Sequence, residues 1–280
     1  PYLTHEPEEH VTPTLSPKNV AVVGAGPAGI VAALIASRRG HRVRLFEEKD
    51  EIGGLLIPGS VPDIKNDLRT LLKYYREEIA DNNVEVETKT RVTADLLRQI
   101  SPDALVVAVG ARPIRPSVPG VDAENVITAS AALNQGDRIS GQRVVIIGGG
   151  EVGCETAIHL SRKGNQVVIV EILDRLLALA DIKNNVVVLE ELLEKENVQS
   201  YTGSKVVEIG RGSVKIIDSE GRPVTLPADI VILALGLELD NQSTGQFRES
   251  FPKAYLVGDS VEPRRIFEAV HDADRVARLI

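Results

Sequence analysis

The chain has 280 residues, 43% hydrophobic and 26% charged, with a formal net charge of −8. That length suits about two domains of ordinary globular composition, and the negative balance argues against a nucleic-acid surface. A single cysteine, Cys154, excludes an internal disulfide, a Cys-x-x-Cys redox pair and a Cys-rich zinc or iron–sulfur site within these residues.

The chain opens on Pro1 instead of Met and reads as a piece of a longer polypeptide. No apolar run reaches the ~18 residues of a membrane helix, and no basic-plus-apolar leader precedes the first strand. A cytoplasmic location without membrane contact is therefore expected.

Residues 19–47 read as strand, Gly-rich turn, helix and strand, with Gly24, Gly26 and Gly29 in the turn and Glu47 closing the second strand. Residues 66–80 place Leu68, Leu71, Leu72, Tyr75 and Ile79 on one helical face. Residues 84–88 alternate as a strand does, and Asp103–Gly110 reads as a buried strand ending in Gly. Pro116, Pro119 and Gly120 mark a crossing into a second domain.

Residues 142–171 then repeat the first pattern, with Gly148, Gly150 and Gly153 in the turn and Glu171 closing the strand. The same spacing separates first Gly from closing Glu in both copies, and Gly40 and Gly164 each end the intervening helix as left-handed C-cap residues. Asp229–Gly236 matches Asp103–Gly110, the stretch 238–252 reads as the return crossing, and a short strand reaches Gly258-Asp259 before a helix at about 263–280.

A Gly-x-Gly-x-x-Gly motif alone is weak, but each copy here lies between strand and helix with an acidic residue at the next strand's end. That is the context of a dinucleotide site: a tight turn, close backbone approach to a pyrophosphate, helix packing on strand, and free helix N–H groups facing the anion. The fold class is α/β: two Rossmann-like, three-layer dinucleotide domains, the second inserted into the first. The expected boundaries are 17–115 with 250–280 for the first and 116–249 for the second.

By the first fingerprint, Glu47, Gly53-Gly54, Ala108-Val109-Gly110 and Gly258-Asp259, the chain resembles the FAD/NAD(P)-binding part of the pyridine-nucleotide oxidoreductase superfamily. Residues 47–79 and 257–280 look like the C-terminal region of the old-yellow-enzyme-related NADH:flavin oxidoreductases, with 2-enoate reductases, 2,4-dienoyl-CoA reductases and trimethylamine dehydrogenase among them. The resemblance implies FAD contacts at Gly24, Gly26, Pro27, Ala28, Gly29, Glu47, Gly54, Leu55, Val92, Ala108, Gly110, Gly258, Asp259 and Ile266. It implies nicotinamide-nucleotide contacts at Gly148, Gly150, Glu151, Val152, Gly153, Glu171 and Gly236.

It also implies partners on the same polypeptide, an N-terminal barrel with FMN and an iron–sulfur segment, to which electrons from NADH would pass through FAD, with residues 1–16 as the linker leading in from them. A carboxylate at Glu171 favours NADH over NADPH, against which Arg175 weighs slightly. No residue is expected to do acid–base catalysis or to bind metal, because the cofactors carry the chemistry. The competing implication is a non-catalytic domain holding only ADP, as in the trimethylamine dehydrogenase branch; a freestanding thioredoxin-reductase-like carrier is disfavoured by the missing Cys pair. Cys154 reads as a small buried apolar residue and His159 as solvated beside Arg162 and Lys163. The resemblance puts His271 near the flavin, although a lone His there is more often structural. Arg264-Arg265 reads as a phosphate or partner contact, or as an ordinary exposed helix start.

Overall fold

The computed structural model describes residues 10–180 and 182–280; most of the expected linker, residues 1–9, lies outside the described residues. Its described residues divide into two compact units, one from 10–60, 66–112 and 237–280, the other from 61–65 and 113–236.

The first unit begins with β1 (Asn19–Val23), α1 (Pro27–Arg38) and β2 (Arg42–Phe46). Pro27 opens α1, where its missing N–H costs nothing, and Gly40 follows the helix at φ +92°. Next come a single turn, α2 (Leu56–Gly59), then α3 (Asn66–Asp81), β3 (Val84–Glu87), α4 (Ala94–Ile100) and β4 (Ala104–Val107). On α3 the anticipated apolar face is present: Leu72, Tyr75 and Ile79 are buried, and Leu68 and Leu71 pack against the same core.

The chain leaves through β5 (Arg112–Pro113) and enters the second unit at β6 (Val126–Thr128), α5 (Ala129–Asn134), β7 (Arg143–Ile147), α6 (Glu151–Arg162) and β8 (Gln166–Val170). Then follow α7 (Lys183–Lys195), β9 (Gln199–Tyr201), an antiparallel meander of β10 (Lys205–Ile209), β11 (Ser213–Ile217) and β12 (Pro223–Pro227), and β13 (Ile230–Leu233).

Return to the first unit comes with β14 (Leu237–Glu238), followed by α8 (Asn241–Ser250), β15 (Tyr255–Leu256) and α9 (Ile266–Leu279). This corrects the expected boundary at 249/250. Residues 241–250 form a helix of the first unit, capped by Asp240 accepting from the Ser243 N–H and anchored by buried Phe247 in the cluster of Val92 and Leu97. The segment Val61–Lys65, expected with the FAD domain, belongs to the second unit, where Ile64 joins the core and Lys65 pairs with Glu155.

Each unit carries a five-stranded parallel sheet, ordered β15-β4-β1-β2-β3 in the first and β6-β13-β7-β8-β9 in the second. The orders correspond strand for strand, except that the edge strand comes last along the chain in the first unit and first in the second. In both sheets the direction of winding reverses beside the first strand of the fingerprint, the switch point where doubly wound sheets open a crevice for ligands. Continuous apolar runs such as IVIL in β13 and ALVV in β4 are buried on both faces, as parallel strands require. The helical layer of the first unit is built on α1 and α9, that of the second on α5, α6 and α7; the meander covers the other face of the second sheet. No described helix is long and apolar enough to cross a membrane.

Candidate nucleotide-binding sites

The glycines of each fingerprint divide by what an added Cβ would meet. At Gly24 it would stand 2.3 Å from the Ala108 carbonyl oxygen, and at Gly29 1.8 Å from the Gly24 oxygen. Gly148 and Gly153 repeat this, at 2.4 Å from the Ala234 oxygen and 2.0 Å from the Gly148 oxygen. These four are glycines because strand, turn and helix touch there. The middle glycines differ. A Cβ at Gly26 meets nothing nearer than the Gly54 Cα at 4.0 Å, and one at Gly150 meets nothing within 4 Å.

Each therefore leaves open space in front of the N-terminus of a 12-residue helix, α1 or α6, whose first N–H groups lack helical acceptors. Unhindered backbone beside a positive helix end is what a pyrophosphate needs. The residues present thus fit a dinucleotide in both units.

Beside each turn stands a caged carboxylate. Glu47, 7% exposed, accepts from the Ala25 N–H at 2.8 Å and the Lys49 N–H at 3.0 Å. Glu171, 8% exposed, accepts from the Gly149 N–H at 2.5 Å and the Leu173 N–H at 2.8 Å. One lone pair on each oxygen is taken, and one on each remains for ribose hydroxyls.

The duplication continues into the loops. Glu47 N–H donates to the Glu87 carbonyl and Glu171 N–H to that of Tyr201; Thr90 and Ser204 donate back to the two glutamate carbonyls. Lys89 N–H meets the Lys49 carbonyl at 2.7 Å, and Gly203 N–H meets that of Leu173 at 2.6 Å. Lys89 and Gly203 share a left-handed backbone, φ 53° and 58°. Gly53 donates to the Ala25 carbonyl, and Leu177, at φ 55°, donates to that of Gly149.

In the first unit the remaining expected residues gather round the turn. A Cβ on Gly54 would lie 2.8 Å from the Gly26 Cα, so the Gly53-Gly54 loop closes on the fingerprint, with Leu55 exposed next to it. Gly258 packs on Ala28 in the first turn of α1 and on Ala269 of α9. Asp259 follows; burial raises its carboxyl above the usual value, opposed by the Arg264 N–H and charge. Gly110 N–H donates to Ser260 Oγ at 3.1 Å, tying the end of β4 to the Gly-Asp turn. Ile266 begins α9. Val92 is the exception. Its side chain is 4% exposed within the cluster of Phe46 and Leu97, so only its backbone could meet a ligand.

In the second unit Glu151 and exposed Val152 open α6 at the turn, and Gly236, φ +86°, ends the β13 segment as Gly110, φ +79°, ends that of β4. Cys154 is fully buried, its thiol pushed up to about 12 by burial and surrounding carboxylates, as befits a small apolar residue. His159 corrects the expectation: it is buried, 7% exposed, because α6 packs against β8, α5 and α7 and is covered round most of its circumference. The basic neighbours Arg162 and Lys163 give no sign of this. His271 packs its ring on Phe267, centroids 4.2 Å apart. Arg264 pairs with Asp272 and, through its backbone, holds Asp259. Ser260 and the cage donors at residues 25, 49, 149 and 173 carry no signal in the sequence, since nearly any residue supplies a backbone N–H. Among the described residues no cluster could hold a metal ion.

Two parallel sheets, each with an open glycine at a helix N-terminus and a caged carboxylate, place the chain in the class of paired dinucleotide-type α/β folds. The family model "Pyridine nucleotide-disulphide oxidoreductase" matches residues 18–273, and the chain belongs to that family. A bilirubin reductase of Mediterraneibacter gnavus is 37% identical over 92% of this chain and 40% of the relative. A cinnamate reductase of Clostridium sporogenes is 32% identical over 94% of this chain and 39% of the relative. A solved 2-naphthoyl-CoA reductase complex is similar at TM-score 0.92 and 31% identity, over 99% of this chain and 42% of that one. These relatives bear out the resemblance to the NADH:flavin oxidoreductase branch, and the chain spans about two fifths of the length of the curated relatives it matches.

Proposed function

We propose that this chain is the pyridine-nucleotide-to-flavin module of a larger reductase, with FAD in the first unit and NADH in the second. The observation that carries the reading is the repeated pairing of an open middle glycine with a caged glutamate. Bound at the two sites, a reduced nicotinamide and FAD supply hydride-transfer chemistry, which needs little side-chain acid or base.

The chain's own groups bind and orient. Gly26 and Gly150 leave the helix N–H groups accessible to pyrophosphate. Glu47 and Glu171, held by two backbone donors each, turn their remaining lone pairs to the ribose hydroxyls. Asp259, packed through Gly258 against the start of α1, would meet the ribityl or phosphate part of FAD. Reducing equivalents would pass on to an FMN- and iron–sulfur-bearing portion outside these residues, a reading supported by relatives more than twice as long that are named as reductases. A cytoplasmic setting belongs to the same reading.

Purified protein should be yellow, and its visible flavin band should bleach when NADH is added without oxygen. A colourless protein carrying only adenine nucleotide would instead favour the non-catalytic ADP-binding role.

A further inference from the structure

We propose that Leu173 and Gly203 set the coenzyme of the second site, selecting a dinucleotide whose adenosine ribose carries a free 2′-hydroxyl over one carrying a 2′-phosphate. The inference rests on reading the second unit as a nicotinamide-coenzyme site.

The two carboxylate cages match bond for bond, so each position in one has a counterpart in the other. Leu173 corresponds to Lys49, since each gives its N–H to the cage carboxylate. Gly203 corresponds to Lys89, since each gives its N–H to the carbonyl of that residue with a left-handed backbone. The protein has thus built the same cage twice, once with two exposed lysines on its rim and once with an exposed leucine and a glycine.

A 2′-phosphate carries between one and two negative charges at neutral pH. In the second cage it would stand beside the Glu171 carboxylate with no cation at either rim position, where like charges repel. A hydroxyl there donates to the carboxylate without that cost. Exposed Arg175, four positions after Glu171, has as its counterpart in the first copy Glu51, which pairs with Arg76.

The test titrates the flavin-loaded chain with NADH and with NADPH, read by the change in coenzyme fluorescence. NADH is expected to bind at least about tenfold tighter than NADPH, and L173K/G203K to narrow that ratio by about tenfold or more, a shift of about 1.4 kcal/mol. Lys89 shows that lysine adopts the backbone conformation of Gly203, and a Cβ there would stand 3.1 Å from the Ser219 Cβ, so G203K requires Ser219 to give by a few tenths of an ångström. L173K alone changes an exposed side chain and should move the ratio the same way, so the proposal stays testable if the double variant does not fold. Preference for NADPH in the unchanged protein would overturn it, as would an unchanged ratio in folded L173K. So would R175A moving the ratio while L173K/G203K leaves it fixed. Binding of neither coenzyme would overturn the reading of the second unit itself, a result separate from loss of selectivity.

Discussion

Replacing Gly26 by alanine should separate folding from ligand binding, and replacing Gly29 should not. Gly26 caps α1 at φ −76°, ψ −177°, extended backbone that any residue adopts. An added Cβ meets only the Gly54 Cα at 4.0 Å. G26A therefore reduces the freedom of the unfolded chain without native strain, a gain of about 0.4–1 kcal/mol. For a chain of this size that raises Tm by about 1–4 °C.

The same methyl fills the space through which a pyrophosphate would reach the start of α1. Losing one charge-assisted hydrogen bond there costs about 1.5–3 kcal/mol, or about ten- to a hundredfold in Kd. In G29A the methyl would lie 1.8 Å from a backbone oxygen, and α1 must move off β1 to make room. The assays are thermal melting of the flavin-free chain by circular dichroism and titration with FAD by quenching of its fluorescence. G26A should melt at or above the temperature of the unchanged chain and bind FAD at least about tenfold more weakly, while G29A melts several degrees lower. If G26A holds FAD as tightly as the unchanged chain, the open glycine does not face the ligand and the cradle argument fails.

The Lys65–Glu155 pair gives a pH-dependent prediction. Burial holds the Glu155 carboxyl above its usual value of 4.5, and Lys65 draws it back. A folded pKa above the unfolded one means that the group's contribution to stability is present below about 4.5 and lost as pH rises through the folded value. K65M removes the compensating cation and leaves the carboxylate unsatisfied, so it should destabilise by about 1–3 kcal/mol at pH 8 and by clearly less at pH 5; equal losses at both pH values would refute the pairing. Cys154, with its thiol pushed up to about 12, should not react with Ellman's reagent at pH 8 until urea unfolds the chain. Prompt native-state labelling would show that it is not buried as described.

The duplicated fold is legible in the sequence because its signals are local. Alternation of apolar strand, glycine turn, amphipathic helix and closing glutamate is written in contiguous residues, and each piece forms for reasons of backbone geometry and periodicity. The strands and helices flanking the two fingerprints therefore form where that local pattern puts them. The helical face of Leu72, Tyr75 and Ile79 is buried for the same reason.

Residues 241–250 show where that stops. NQSTGQFRES is polar and lacks a strong stripe, so it reads as a crossing; one phenylalanine, Phe247, makes it a helix of the first unit by entering a core formed by residues distant in the chain. His159 departs from its expected exposure on similar grounds, since its burial comes from packing round α6 and not from its neighbours in sequence.

By itself the sequence determined that there are two dinucleotide folds, one inserted in the other, and which glycines and glutamates mark them. Only the tertiary structure decided where the chain returns to its first unit and which backbone N–H groups converge on Glu47 and Glu171. The physical reason is that nearly every residue carries the same backbone donor. As cage donors, Leu173 and Lys49 act through the place to which the folded chain brings the N–H, whatever the side chain.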